Sequence, residues 1–371
     1  MERSAENFEA QNFSCKVKMK RYRLNLKDGN RMLLAVFILL LLICLACWYG
    51  PARSPAPGGI NRLEQVELGG VKQWISIRAV DTHAPVLLFL HGGPGSANLA
   101  KLRLQVPELE KHFVVVSWDQ RGAGKSAYLG FDYRTLSIEQ MISDAHELVT
   151  YLKARFGVEK IYLMGFSWGT VIGLSLAERY PEDFHAFISV SQLVNAAQGE
   201  RLSLEYVQRM AGEAGDVRAV AQLADIDPAY RSGDWFRQLT LERNGLLHFG
   251  GVYHATISYS HEIWMMLRAH EYSLVEVALW PGGSSASLKQ MWPEILNINF
   301  FETVPAVYCP VYFFAGRFDY NDPWQLTQAY YDQLEAPAGK HLVWFENSAH
   351  DIFFDEPQHL EQEILAILEA Q

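Results

Sequence analysis

Gly165-Phe166-Ser167-Trp168-Gly169 is the stretch on which the reading of this chain turns. The four residues before it, Ile161-Tyr162-Leu163-Met164, are apolar and predict a buried strand. From Thr170 to Arg179 the pattern is helical. A glycine on either side of a serine, set between strand and helix, permits a sharp, strained turn that presents the hydroxyl at the sheet edge. Chance supplies Gly-x-Ser-x-Gly often, and a packing turn is the plain alternative. The flanking strand and helix favour a nucleophile at Ser167.

A serine nucleophile needs a base, and the base needs an acid to orient it. In the chain order serine, acid, histidine, the residues that fit are Asp319 and His350. Asp319 lies in Gly316-Arg317-Phe318-Asp319, directly after an apolar run at 311–315. His350 lies in Asn347-Ser348-Ala349-His350-Asp351, directly after another at 342–345. Asp322 and Asp351 compete for the acid's place. Asp322 precedes Pro323 and reads as a turn or helix-capping residue, so Asp319 is favoured. His248, His254, His261 and His270 fall in a different region of the chain and read as surface or substrate-lining residues.

Acyl transfer also needs donors for an oxyanion. His91-Gly92-Gly93-Pro94-Gly95 follows the apolar run 85–90, and its glycines let backbone amides approach a substrate. The expected donors are the amides of Gly93 and Trp168, with His91 as a structural hydrogen-bonding residue. A glycine-rich loop could instead cradle phosphate, but neither phosphate-loop nor dinucleotide spacing is present. Trp118-Asp119-Gln120-Arg121-Gly122-Ala123-Gly124-Lys125-Ser126 reads as a tight loop in which Arg121 pairs with a nearby acid and Asp119 is structural.

Apolar runs at 85–90, 113–117, 161–164, 186–189, 311–315 and 342–345 suit strands buried on both faces of a mostly parallel sheet. Ile138, Met141, Ile142, Ala145, Leu148, Val149 and Leu152 have helical spacing, and 169–180 and 357–369 look helical too. Alternating β and α predicts an α/β sheet flanked by helices, with its ligand site at the C-terminal strand ends. The stretch 195–303 breaks the alternation. It carries Trp235, Trp264, Trp280 and Trp292 and reads as an inserted helical cap between core segments 63–194 and 304–371. Residues 50–62, rich in Pro and Gly, read as a linker.

Charge is uneven. Of 32 Lys/Arg and 42 Asp/Glu in the 371 residues, residues 1–31 hold eight and four, so the remainder carries 24 and 38. An acidic body repels phosphate backbones and argues against nucleic acid as a partner. Residues 32–49 are uncharged and apolar, and eighteen residues in a helix span about 27 Å, close to hydrocarbon thickness. The expectation is an N-terminal transmembrane helix with the basic arm 1–31 in the cytoplasm and the body outside, as a single-pass membrane protein. The alternative is a cleaved signal and secretion. Of Cys15, Cys44, Cys47 and Cys309, only the last lies in the body, so no intradomain disulfide is expected.

Taken in order, the His91-Gly92-Gly93-Pro94-Gly95, Asp119-Gln120-Arg121-Gly122-x-Gly124-x-Ser126, Gly165-x-Ser167-Trp168-Gly169, Gly316-Arg317-x-Asp319 and Asn347-Ser348-Ala349-His350 motifs resemble the prolyl iminopeptidase family of α/β-hydrolases. The match runs through about residues 70–195 and 305–370. The resemblance implies a capped α/β-hydrolase fold, a Ser167–Asp319–His350 triad, removal of an N-terminal proline, and cap acids that hold the substrate's α-ammonium. Glu205, Glu262, Glu271 and Glu276 are the cap candidates. The family's nucleophile segment reads Gly-Gly-Ser-Trp-Gly, and here Phe166 stands in place of the second glycine. The expected function is an aminopeptidase or amidase on small peptides or aminoacyl amides. The alternatives are a carboxylesterase on small acyl esters and an inactive, membrane-tethered binding protein. No metal or organic cofactor is expected.

Overall fold

A computed structural model describes residues 34–40 and 59–370, other than 232 and 257. Residues 34–40 are helical and exposed. Among the described residues no helix is long and apolar enough to cross a membrane. The remainder of the expected span 32–49, the arm 1–31 and most of the linker 50–62 lie outside the described residues. The body of the chain belongs to a single compact unit that begins at residue 50.

At the centre of this unit is an eight-stranded sheet in the order β1-β2-β4-β3-β5-β6-β7-β8. The strands are β1 Ile60–Leu68, β2 Val71–Ala79, β3 Val86–Leu90, β4 Val114–Asp119, β5 Ile161–Phe166, β6 Phe184–Val190, β7 Val311–Gly316 and β8 Lys340–Phe345. Strands β3 to β8 are parallel, whereas β1 and β2 run antiparallel along one edge. The six expected strands are all present. The hairpin β1–β2 is the addition, and it starts at Ile60, inside the stretch read as linker. Its turn is Gly69-Gly70, both at positive φ (53° and 73°), the pair a two-residue hairpin favours.

Both faces of the sheet are covered, which is why the central strands are uninterrupted apolar runs. All five residues of β3 are buried. Leu88 and Leu90 face one core, with residues of α3 (Ile138–Phe156) and α4 (Trp168–Arg179). Leu87 and Phe89 face the other, with α1 (Lys101–Gln105), α2 (Leu109–His112) and Leu360, Ile364 and Ile367. Helix α3 is bounded by Ser137, whose side chain accepts from the Gln140 amide, and by Gly157 in the left-handed region at φ 66°.

The stretch expected to form a cap is helical: α5 Ala196–Glu213, α6 Val217–Leu223, α7 Trp235–His248, α8 Ser260–Arg268, α9 Leu274–Ile295 and α10 Phe300–Thr303. The chain then returns to the sheet, where α11 (Trp324–Gln333) follows β7, and α12 (Ile352–Asp355) and α13 (Pro357–Glu369) follow β8. The cap is tied to the core in two groups of contacts. Residues 271–287 reach the loops around 97–125: Tyr272 donates to Asp119 (2.7 Å), Trp280 to the Ala97 carbonyl (3.0 Å) and Ser287 to the Gly122 carbonyl (2.9 Å). Arg103–Glu271 (2.8 Å) and Lys125–Glu276 (2.7 Å) are ion pairs in the same seam. The other group reaches the loops after β7 and β8. There Ser203 donates to the Tyr320 carbonyl (2.6 Å), and the Val252 carbonyl accepts the His350 amide (3.0 Å).

Candidate active site

Strand β5 ends at Phe166 and α4 begins at Trp168, leaving Ser167 alone in the turn with φ 52° and ψ −120°. A non-glycine residue there costs on the order of 1–3 kcal/mol and persists only where its surroundings impose it. The flanking glycines show how. A Cβ on Gly165 would press on the Gly169 backbone, and one on Gly169 would collide with the Leu90 carbonyl oxygen. Strand, turn and helix therefore approach more closely than any side chain allows.

His350 and Asp319 come to the same edge, each from the loop after its strand. His350 Nδ1 lies 3.0 Å from Asp319 Oδ2. The other Asp319 oxygen accepts the amides of Asn321 (3.0 Å) and Asp322 (2.9 Å). Ser191 at the end of β6 donates to the His350 carbonyl (2.7 Å) and fixes that loop. Burial works against an imidazolium here, but the Asp319 carboxylate, followed by Asp322 and Asp351, outweighs it and raises His350 above the ordinary histidine value.

Sequence reasoning misses Asp322. Its place before Pro323 suggests a turn or capping residue, yet α11 begins after Pro323 with no side-chain cap. The carboxyl instead turns inward, where Oδ2 accepts the Ser167 hydroxyl at 3.3 Å and lies 3.8 Å from His350 Nε2. Burial lifts it to about 7, against a partly offsetting pull from His350. Asp351, the other competitor, accepts Lys101 Nζ at 2.8 Å.

The loop after β3 stands opposite. His91 donates from Nδ1 to the Gly92 carbonyl (2.7 Å) and accepts the Gln120 amide at Nε2 (3.2 Å), and burial holds it neutral with a pKa of about 4. It is structural, as its sequence context suggests. Gln120 joins this loop to the nucleophile turn, donating to the His91 carbonyl (3.0 Å) and accepting from the Trp168 indole (3.0 Å). Arg121 finds its acid in Asp144 (2.7 Å and 2.9 Å) and also donates to the Leu68 and Gly69 carbonyls. Asp119 is buried and held by Tyr272 and the Lys125 amide; burial raises it to about 7. Cys309 is a buried thiol that burial raises to about 12.

Two cavities meet at Ser167, and Gly93, Tyr259 and Asn321 line both. The larger, about 670 Å³, is walled by apolar and aromatic side chains, among them Phe166, Tyr253, Met266 and Trp280, and His350 opens into it. The smaller, about 340 Å³, contains Trp168, Glu200, Arg243 and Asp322. Arg243 lies between two buried acids, 2.5 Å from Glu200 and also paired with Glu242. Burial raises Glu242 to about 8, with Arg243 opposing. Among the described residues, one oxygen of each acid has no hydrogen-bond partner.

The expected cap acids are placed differently. Glu205 is exposed on α5, Glu271 is spent on Arg103 and Glu276 on Lys125, and none of the three lines either cavity. Glu262 does line the larger one. It stands with Asp351 and His261 around Lys101 Nζ (3.5 Å from Glu262), which sits 5.0 Å over the Phe166 ring. These three residues bring possible ligand atoms within 4.8 Å of one another, and a cation of the protein itself already sits among them. Phe166 packs its ring 5.2 Å from that of His350, so the residue that departs from the family motif forms one wall beside the imidazole.

A family model described as the alpha/beta hydrolase fold matches residues 85–357. A probable aminopeptidase, YbaC of Bacillus subtilis (strain 168), is 30% identical over 306 residues, covering 82% of this chain and 95% of that protein. A proline iminopeptidase of Heyndrickxia coagulans is 22% identical over 286 residues, 76% of this chain and 88% of its own. The crystal structure of a proline iminopeptidase-related protein from Thermus thermophilus shares the fold, with TM-score 0.61 at 20% identity over 84% of this chain and 98% of that one. The matched region runs from the strand before the His91 loop to the start of the last helix, beyond His350, and so takes in every element that shapes this site: the chain belongs to the α/β-hydrolase family, among relatives named as aminopeptidases and proline iminopeptidases.

Proposed function

We propose that this α/β-hydrolase is a serine aminopeptidase or aminoacyl amidase that works through an acyl-enzyme. The observation that carries the reading is the smaller chamber opening on Ser167, lined by Glu200, Asp322 and Arg243, with the fully buried Glu242 paired to Arg243. Burial favours the protonated form of Glu242 and Arg243 pairs with Glu200, so a substrate's α-ammonium supplies the positive charge that an ionised Asp322 lacks. Ser167 Oγ attacks the carbonyl carbon while His350 Nε2 takes its proton, and Asp319 holds the ring and steadies its charged form. The amides of Gly93 and Trp168 receive the oxyanion; removing one such donor typically costs about 3–4 kcal/mol. The C–N bond breaks as His350 returns the proton to the leaving amine. Water then attacks the acyl-serine by the same route and releases the amino acid. Since His350 protonates the leaving group and opens into the larger cavity, the leaving group occupies that side and the acyl group the acidic one.

Hydrolysis of alanine and proline arylamides, lost in Ser167→Ala and absent for the N-acetylated substrates, is the expected result. Cleavage of short acyl esters without any turnover of free-amino arylamides would replace this reading with a carboxylesterase, which the apolar 670 Å³ cavity favours. A folded protein whose Ser167 resists a fluorophosphonate probe would leave only a non-catalytic role. The apolar run 32–49 supports anchorage in a membrane with the body outside, checked by whether the chain sediments with membranes and whether protease reaches the body in intact cells.

A further inference from the structure

The proton transfers of the acyl-enzyme mechanism give Asp322 no part, although its Oδ2 stands close to both nucleophile and base. The Ser167 hydroxyl donates to it at 3.3 Å, and His350 Nε2 is 3.8 Å away. The groups that face it come from several elements: Ser167 from the turn before α4, His350 from the loop after β8, Asp319 from its own loop, and Glu200 and Arg243 from the cap helices α5 and α7. Arg243 is the one guanidinium or ammonium in that set, and it is already taken by Glu200 and Glu242. Ionised, Asp322 holds the serine proton away from the imidazole and sets an unmatched negative charge beside the carbon where an oxyanion must form.

Chain geometry limits what can relieve this. In an aminoacyl substrate the α-nitrogen is about 2.5 Å from the carbonyl carbon, so its receptor must lie within a few ångströms of Ser167 Oγ. Asp322 meets that condition. Glu205 and Glu271 line neither cavity.

We infer that Asp322 is a receptor for the substrate's primary or secondary α-ammonium and, until that cation arrives, a brake on Ser167. The ammonium occupies the carboxylate oxygen, cancels its charge and leaves the hydroxyl to His350. The identity of the cation as an α-ammonium rests on the aminopeptidase reading; the brake itself rests on the Ser167–Asp322–His350 geometry.

The test is Asp322→Asn assayed on alanine 4-nitroanilide and on the neutral ester 4-nitrophenyl acetate. Asparagine keeps the shape and loses the charge. For the anilide, kcat/KM is expected to fall about 10–100-fold, while for the ester it rises, so the preference crosses over. With the ester, both enzymes gain rate as His350 loses its proton, but the wild type is expected to level off lower than the variant, because Asp322, lifted to about 7, ionises over the same range. A second arm needs neither turnover nor variant: n-propylammonium is expected to speed fluorophosphonate labelling of Ser167 in the wild type. An equal fall on both substrates, or labelling indifferent to both the alkylammonium and the substitution, would overturn the proposal. Labelling that responds in a protein that cleaves only esters would keep the brake and discard the aminopeptidase reading.

Discussion

Asp319 divides its oxygens between ring and backbone: Oδ2 lies 3.0 Å from His350 Nδ1, and Oδ1 accepts the Asn321 and Asp322 amides. The carboxylate can only accept, so the imidazole hydrogen stays on Nδ1 and the lone pair on Nε2. Asp319→Asn keeps the shape and the backbone contacts but presents an NH2 group to the ring, which reverses the tautomer. Arylamide kcat is expected to fall by on the order of 10³–10⁴-fold, with the urea midpoint little changed.

The pH dependence carries a sign that separates activity from stability. As the proposed general base, His350 must be neutral to accept the serine proton, and its surroundings raise its pKa. The acid limb of kcat/KM should therefore have its midpoint above the ordinary value of about 6.5, and a midpoint of about 5 would remove His350 from the role. The same shift stabilises the fold fully below the unfolded value and is lost as pH rises through the folded one. Thermal unfolding of Ser167→Ala across this window should show that decline while the active enzyme gains rate.

Away from the chemistry, Asp144 satisfies buried Arg121 through two contacts and also accepts from Gln73 (2.6 Å) and Gln140 (2.7 Å). Asp144→Ala strands a guanidinium that is only 3% exposed. A loss of about 3–5 kcal/mol is expected by urea unfolding, larger than for a surface pair such as Arg134–Asp132.

Two glycine-to-alanine exchanges should have opposite effects. Gly169→Ala drives a methyl into the Leu90 carbonyl and displaces the start of α4, so roughly 1–3 kcal/mol of stability and most of the activity are expected to go. Gly212→Ala, in α5 with nothing within 4 Å of the added methyl, should stabilise by about 0.5–1 kcal/mol. Melting temperatures of the two variants check the contrast.

The sheet is readable from the sequence because its parallel strands are buried on both faces and stand out as uninterrupted apolar runs. Ser167, Asp319 and His350 fall at one edge because each directly follows such a run. The β1–β2 hairpin escapes that reading, although Gly69-Gly70 between extended segments is a usable sign. The acids of the site are harder to find. Glu205 and Glu200 are five positions apart on one helix, about 140° around its axis, and which of them faces the serine depends on how the cap docks on the core. Asp322 beside a proline looks like many loop aspartates; Ser167, Glu200 and Arg243, which give it its role, come from other elements far along the chain.

The two seams that fasten the cap have a mechanical consequence. One grips the loops that carry the Gly93 side of the site, and the other grips those that carry Asp319 and His350. Strain in the cap is therefore delivered to opposite jaws of the catalytic cleft. Substitutions along either seam, far from any bound molecule, would act on turnover as a loosened vice does on a workpiece, by changing the gap between its jaws.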